Sequence, residues 1–407
     1  MHRVVLFSIP LFAGLLSISC QMLQRKNSLS GSAKSSTSPE AAMPLPATAA
    51  PVPGQSDGTG STTVPSHNPV VIQGVNEKQP LCGTQLGKSV ADASTNKQVR
   101  FATFNMLGAF ATSLPSLNAR IEQIASNIQK VQADVIGIQE AEDMVPWGNS
   151  ADVLARRLSE LTGENWYWCF FRSNPHAAIE PDVSVGGGGP LSAAYSTQDA
   201  NTKKLAQTTW FMGDAIVSRL PFGSVGARRV SARVLSELPL CTSDRCRSWA
   251  AGESRIVMRA EMLLQGRSFH FFNSHFYTNI TSESVKSQVR QATQINEYIN
   301  QVVEKKNAPV AVSCDCNSPE DGAVRAEFLK WGFADAWSTV NPGQPGHTGG
   351  QSTTAQQKTA SSRIDYLFLK GMTPREAQLF PETASAAPAD ASILWPSDHL
   401  GFVAGPF

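Results

Sequence analysis

The sequence predicts an α/β (α+β) sandwich whose functional rim is built from strand-end loops. Two observations carry this expectation. Short apolar, β-branched runs are interspersed with long stretches of helical periodicity, and run after run ends in Asn, Asp, Glu or His.

The chain has 407 residues, and roughly its first 95 lack the composition of a core. Met1–Cys20 opens with His2 and Arg3, continues through an apolar run from Val4 to Ile18, and ends in Ser19 and Cys20. Residues 1–20 therefore read as a secretory signal, too short to span a bilayer. Leu16–Cys20 resembles the cleavage site of a bacterial lipoprotein, in which the cysteine is acylated; Ser17 stands where such sites usually carry Leu. The expectation is an exported protein, either tethered to the cell envelope through Cys20 or extracellular. Residues 21–96, rich in Ser, Thr, Pro, Ala and Gly, bury too little apolar surface to offset their ordering entropy and read as a disordered tether. The folded domain is then 97–407.

Between Gln98 and Phe407, 27 Lys and Arg face 29 Asp and Glu, a formal charge near −2. A protein gripping nucleic acid mainly through phosphate neutralisation is normally basic, so this domain needs a local patch or a metal ion. Arg228, Arg229, Arg233, Lys203 and Lys204 are the candidates for such a patch. Six cysteines follow Cys20. Cys241 and Cys246 in CTSDRC suit a small disulfide loop, whereas Cys82, Cys169, Cys314 and Cys316 either pair or remain buried thiols. No spacing among them fits a zinc site.

In chain order, Val99–Phe104 is a strand delivering Asn105. Ser116–Val131 places Leu117, Ile121, Ile124, Ile128 and Val131 on one helical face, and Asp134–Gln139 is a second buried strand ending in Glu140. Strand, helix and strand form a βαβ unit that brings Asn105 and Glu140 to one rim. Ala151–Leu161 is a helix and Trp166–Phe171 an aromatic core strand. Arg172–Gln207 is irregular, with Gly186–Gly189 marking a mobile loop. Gly213–Arg219 is a strand ending in a turn. Ile256–Leu264 and Arg267–Asn273 form a hairpin delivering Asn273, Ser274 and His275, and Ser282–Lys305 is a long helix. Pro309–Ser313 is a buried strand, Ile364–Leu369 another, and Leu400–Ala404 the last, just after Ser397, Asp398 and His399.

The stretch Pro309–Asn317 (PVAVSCDCN) concentrates the chemistry. Alternation along an extended chain points Asp315 and Asn317 one way and Cys314 and Cys316 the other. A carboxylate and an amide side by side suit a hard cation or a phosphate.

Seven motifs in order, TFN (Thr103–Asn105), IQE (Ile138–Glu140), GDAIVSR (Gly213–Arg219), NSH (Asn273–His275), DCN (Asp315–Asn317), RIDY (Arg363–Tyr366) and SDH (Ser397–His399), resemble those of the endonuclease/exonuclease/phosphatase superfamily. The resemblance spans about Val99–Phe407. It implies a four-layer sandwich of two packed mixed β-sheets flanked by helices, making 97–407 a catalytic domain for hydrolysis of phosphoesters with Mg²⁺ (or Mn²⁺). Glu140 and Asp398 would ligate the metal with Asn105 beside them, and Asn105 and Arg255 would contact substrate. His275, Asp315, Asn317, Asp365 and His399 would be catalytic, with Asp365 orienting His399. Asp214 departs from the family's usual Asn, and Cys316 from its Phe. The implied partner is a phosphodiester, in nucleic acid or a phospholipid head group, with an inositol phosphate as a further alternative; no protein partner is inferred. From a different class, the chain would be a non-catalytic surface binding module on the same scaffold.

Overall fold

Fourteen strands pair into two sheets among the residues that the computed structural model describes: 80–87, 98–108, 114–144, 148–174, 210–223, 230–235, 255–264, 267–278, 282–303 and 307–407. All of them belong to one unit, Ser66–Phe407. The first sheet contains β1 (Leu81–Gln85), β2 (Phe101–Asn105), β3 (Val135–Met144), β4 (Gly148–Asn149), β5 (Trp166–Asn174), β6 (Trp210–Ser218), β13 (Glu376–Phe380) and β14 (Gly401–Gly405). Its order is β1-β5-β6-β3-β2-β14-β13, with β4 appended to β3. The second contains β7 (Val230–Leu235), β8 (Arg255–Leu264), β9 (Arg267–His275), β10 (Val310–Asp315), β11 (Ala334–Asp335) and β12 (Asp365–Lys370), ordered β11-β12-β10-β9-β8-β7.

Both sheets are mixed, because β2 and β3 run parallel across α1 (Leu114–Val131) and β9 and β10 across α3 (Ser282–Val302). The first of these is the expected βαβ unit. α2 (Ser150–Thr162) is capped by the Asn149 side chain at its start and closed by Gly163 in the left-handed region (φ 72°). The short α4 (Ala323–Lys330) and α5 (Ala336–Val340) follow β10.

Period-two alternation divides each strand between layers. Ala102 and Phe104 join Leu117, Ile121 and Ile128 of α1 and Leu154 and Leu158 of α2 on the outer face of the first sheet. Phe101, Ile216, Met258, Phe271, Ala311 and Leu367 fill the space between the sheets. Phe272, Val310 and Val312 meet Ile295, Tyr298 and Phe328 under α3 and α4. Helix, sheet, sheet, helix is the four-layer sandwich that the motifs imply.

Polar residues also join the sheets. Asn273 donates to the carbonyls of Ile138 and Ala215 (both 2.9 Å) and accepts from Gln139 Nε2 (2.6 Å) and Ser313 Oγ (2.7 Å). Gly137 is required beneath this network, since a Cβ there would lie 1.9 Å from Ser313 Oγ.

Several expectations are corrected. Leu81–Gln85, assigned to the tether, is instead edge strand β1, paired to β5 and joined to it by the Cys82–Cys169 disulfide. The strand expected to end at Gln139 runs on to Met144 through an irregularity between Ile138 and Ala141, so Glu140 sits in a bulge and not at a terminus. Six elements without a clear local pattern, β4, β7, α4, β11, α5 and β13, were not anticipated. Of the two outcomes left open for Cys82, Cys169, Cys314 and Cys316, pairing is the one found, Cys314 with Cys316 as Cys82 with Cys169. The leader, Cys20, Gly186–Gly189, Cys241, Cys246, Arg228, Arg229, Lys203 and Lys204 lie outside the described residues.

Candidate active site

The inter-sheet face of four strands runs from an apolar residue at one end to a polar one at the other. On β2 it passes from Phe101 to Asn105, on β9 from Phe271 to His275, on β10 from Ala311 to Asp315, and on β12 from Leu369 to Asp365. Register brings these ends together. Asp315 lies directly opposite Asp365 on one side and His275 on the other.

Asn105 links the two sheets, with Nδ2 donating to Glu140 Oε1 (3.1 Å) and Asp315 Oδ2 (2.9 Å). Glu140 holds φ 56°, a left-handed conformation unusual for a side chain that is not Gly, and its Oε2 accepts from the Gly108 N–H. The bulge thus turns the carboxylate towards Asn105. Asp315 Oδ1 accepts the Asn317 N–H (2.9 Å), and Asn317 Nδ2 lies 3.0 Å from His275 Nε2. His399 Nδ1 is 2.8 Å from Asp365 Oδ2, and its Nε2 lies 3.7 Å from Asp315 and 3.9 Å from the half-exposed Asp398.

The two imidazoles are held in opposite states. Burial, with Arg255 and then His399 nearby, keeps His275 well below the ordinary histidine range and therefore neutral. Burial also opposes charge on His399, but the carboxylates of Asp365, Asp315 and Asp398 outweigh it and raise this group well above that range. Asp315 is pushed up to about 7 by burial and by Asp365. Burial and the Asp398 charge raise Glu140.

Such a cluster fits a hard divalent cation. Asp315, Asp365 and His399 bring their polar side-chain atoms within 4.8 Å of one another, and Asp365 Oδ1 is buried without a hydrogen bond, so negative charge accumulates on this rim beside Glu140 and Asp398. Repelling carboxylates held out of water are relieved by oxygen-seeking Mg²⁺ or Mn²⁺. The expected ligands Glu140 and Asp398 flank the same pocket of charge, each within electrostatic reach of the other.

All the expected site residues are thus brought to one rim. Arg255 opens β8, buried, with its guanidinium 5.2 Å from the Tyr277 ring centre and its charge felt by His275 and Asp214. Arg233 does not join them; it bonds Gln301 in the last turn of α3, whereas Gln288, nearer the start of that helix, is the residue that reaches Asn317.

Three contributors escaped sequence reasoning. Arg120 of α1, fully buried, donates to the carbonyls of Met106 and Pro396 (3.0 Å to the latter), joining the segments that carry Asn105 and Asp398. Its amphipathic helix advertised only the apolar face. Ser397 Oγ donates to the Asn105 carbonyl (2.7 Å), and Thr348 Oγ1 accepts the Asp365 N–H (3.1 Å). Asp214, buried beside Arg255 and accepting the His275 backbone N–H, is pushed up to about 8 by burial.

Residues 102–399 match the model of the Endonuclease/Exonuclease/phosphatase family. Among solved structures, an endonuclease/exonuclease/phosphatase family protein from Leptotrichia buccalis C-1013-b is similar at 15% identity and TM-score 0.50, over 75% of this chain and 98% of that one. The mannosyl-6-phosphatase Bt3783 of Bacteroides thetaiotaomicron VPI-5482 is similar at 18% identity and TM-score 0.50, over 75% and 98%. A further family protein from Bacteroides thetaiotaomicron gives 18%, 0.50, 76% and 97%. At these identities the likeness speaks for the fold alone. No curated protein matches the chain.

Proposed function

Because the chain belongs to the endonuclease/exonuclease/phosphatase family, we propose that it is a Mg²⁺- or Mn²⁺-dependent phosphodiesterase, exported and acting at the cell envelope or outside the cell. The observation that carries this reading is the convergence of Asn105, Glu140, Asp315, Asp365, Asp398, His275 and His399 on one rim. Disulfides Cys82–Cys169 and Cys314–Cys316 support an oxidising compartment.

Glu140 and Asp398, with Asn105 beside them, would hold the cation, whose charge neutralises the phosphoryl oxygens of the substrate. The protein supplies positioning and proton transfer. Asp315, oriented by Asn105 and the Asn317 N–H, aligns the attacking water and accepts its proton, as a carboxyl near neutrality can. Neutral His275 and Asn317 contact a phosphoryl oxygen or the leaving oxygen. His399, fixed by Asp365, presents Nε2–H as a cationic donor to the developing charge.

Turnover of plasmid DNA, sphingomyelin and bis-p-nitrophenyl phosphate, each with and without EDTA, tests the reading. At least one phosphodiester is hydrolysed, and EDTA abolishes it. Equal rates for wild type and Asp315→Ala on every substrate would overturn the enzymatic reading in favour of a binding module.

A further inference from the structure

The cysteines on either side of Asp315 are bonded to each other, and the bond encloses a single residue, the hub of the site. Both are fully buried among Phe272, Phe276, Val324, Phe328 and Tyr366, on the face opposite Asp315. Two buried thiols would fill that space equally well, so packing alone does not require the bond.

Its effect lies in the backbone. Residues two apart along an extended strand are separated by roughly 6.6 Å. The Cys314 and Cys316 Cα atoms are 5.1 Å apart, so the chain contracts across Asp315 and turns. Asn317 follows with φ 46°. Because of that turn, its N–H reaches Asp315 Oδ1, and its Nδ2 reaches both His275 Nε2 (3.0 Å) and the Phe276 carbonyl (3.1 Å). Its own carbonyl accepts from Gln288 Nε2 (2.9 Å). The ladder continues around the turn, with Phe276 N donating to Asp315 O and Cys316 N to Ile364 O, both at 2.9 Å.

We infer that the Cys314–Cys316 disulfide is a positioning element for catalysis: it holds the bend that aims Asp315 and Asn317 at the reacting groups. This rests on the phosphodiesterase reading for the identity of the reaction, but not for the conformation. Without the bond, a turn carrying one left-handed residue is held by hydrogen bonds and by the packing of two separate side chains, with no covalent restraint across Asp315, and a displacement of about 1 Å at such a group lowers a rate by on the order of 100-fold.

The test compares wild type with Cys314→Ala/Cys316→Ala and with Cys314→Val/Cys316→Val, which keeps more of the core volume should the alanine pair fail to fold. Cys82→Ala/Cys169→Ala controls for loss of a disulfide elsewhere. Steady-state kinetics on bis-p-nitrophenyl phosphate with Mg²⁺ are paired with amide hydrogen exchange over residues 310–320. The expected result is a kcat lowered on the order of 10- to 100-fold, a KM within about twofold of wild type, and faster exchange at Asn317 in the variants of the 314–316 pair only. Wild-type kcat in either of these variants, whatever its exchange, overturns the inference. Equal losses in the Cys82 and Cys169 control also overturn it, by making the effect one of general stability. If wild type itself hydrolyses nothing, the functional reading fails, and faster exchange at Asn317 still upholds the disulfide as the element that holds the bend.

Discussion

Asp214 illustrates how one side chain ties the site to the stability of the fold. Its carboxyl is buried and titrates near 8 in the folded chain against 3.8 for an unperturbed group, chiefly through burial, with Arg255 and the His275 N–H partly compensating. The native state therefore binds a proton that the unfolded chain has already released between those two values. Stability from this group is fully present below about 3.8 and is lost as pH rises towards 8, with an upper slope of about 1.4 kcal/mol per pH unit. Asp214→Asn, which installs the amide usual in the family, removes that dependence. Melting temperatures at pH 5.5, 7 and 9 should show the variant gaining on wild type as pH rises; a constant offset would refute the assignment.

Among the elements, β10 is the central one, because its register with β9 and β12 places Asp315 between His275 and Asp365. That placement depends on how closely β10 approaches β3 of the other sheet. Gly137 permits the approach, and an added Cβ would meet Ser313 Oγ at 1.9 Å and Asn273 Oδ1 at 2.5 Å, side-chain atoms held in place by the hydrogen bonds of Ser313 to the Phe272 carbonyl and of Asn273 to the Ile138 and Ala215 carbonyls. Gly137→Ala is therefore expected to destabilise the domain by about 1–3 kcal/mol, read as a lowered urea midpoint, and to reduce turnover by disturbing the Asn273 network. An unchanged midpoint would mean that the sheets separate without penalty. The bulge in β3 acts similarly on Glu140, since a regular strand would alternate that carboxylate to another face.

At the scale of the whole molecule, the formal charge near −2 over Gln98–Phe407 means that any grip on nucleic acid has to come from a local basic patch or a metal ion. The folded part includes β1, which composition assigned to the tether, and the Cys82–Cys169 bond joins that strand to β5 at the edge of the first sheet. What precedes it bears on where the enzyme works. If Cys20 is acylated, the full chain expressed in a bacterial host partitions with membranes and Cys20→Ala moves it to the soluble or secreted fraction. Equal partitioning of the two would leave the ordinary signal as the correct reading.

Local pattern was enough to reveal the strands that end in Asn105, His275 and Asp315, the α1 and α3 faces, and the seven motifs, because period-two and period-3.6 burial are written in consecutive residues. The family and its four layers followed from those motifs. Only the tertiary structure decided that β1 belongs to the domain, that Glu140 sits in a bulge, that Cys314 bonds Cys316, and that Arg120, Ser397 and Thr348 hold the loops of the site. Each of these depends on a partner distant in sequence or on a backbone turn, and hydrogen bonds between segments nearly three hundred residues apart, such as Ser397 to Asn105, leave no periodic trace in either segment.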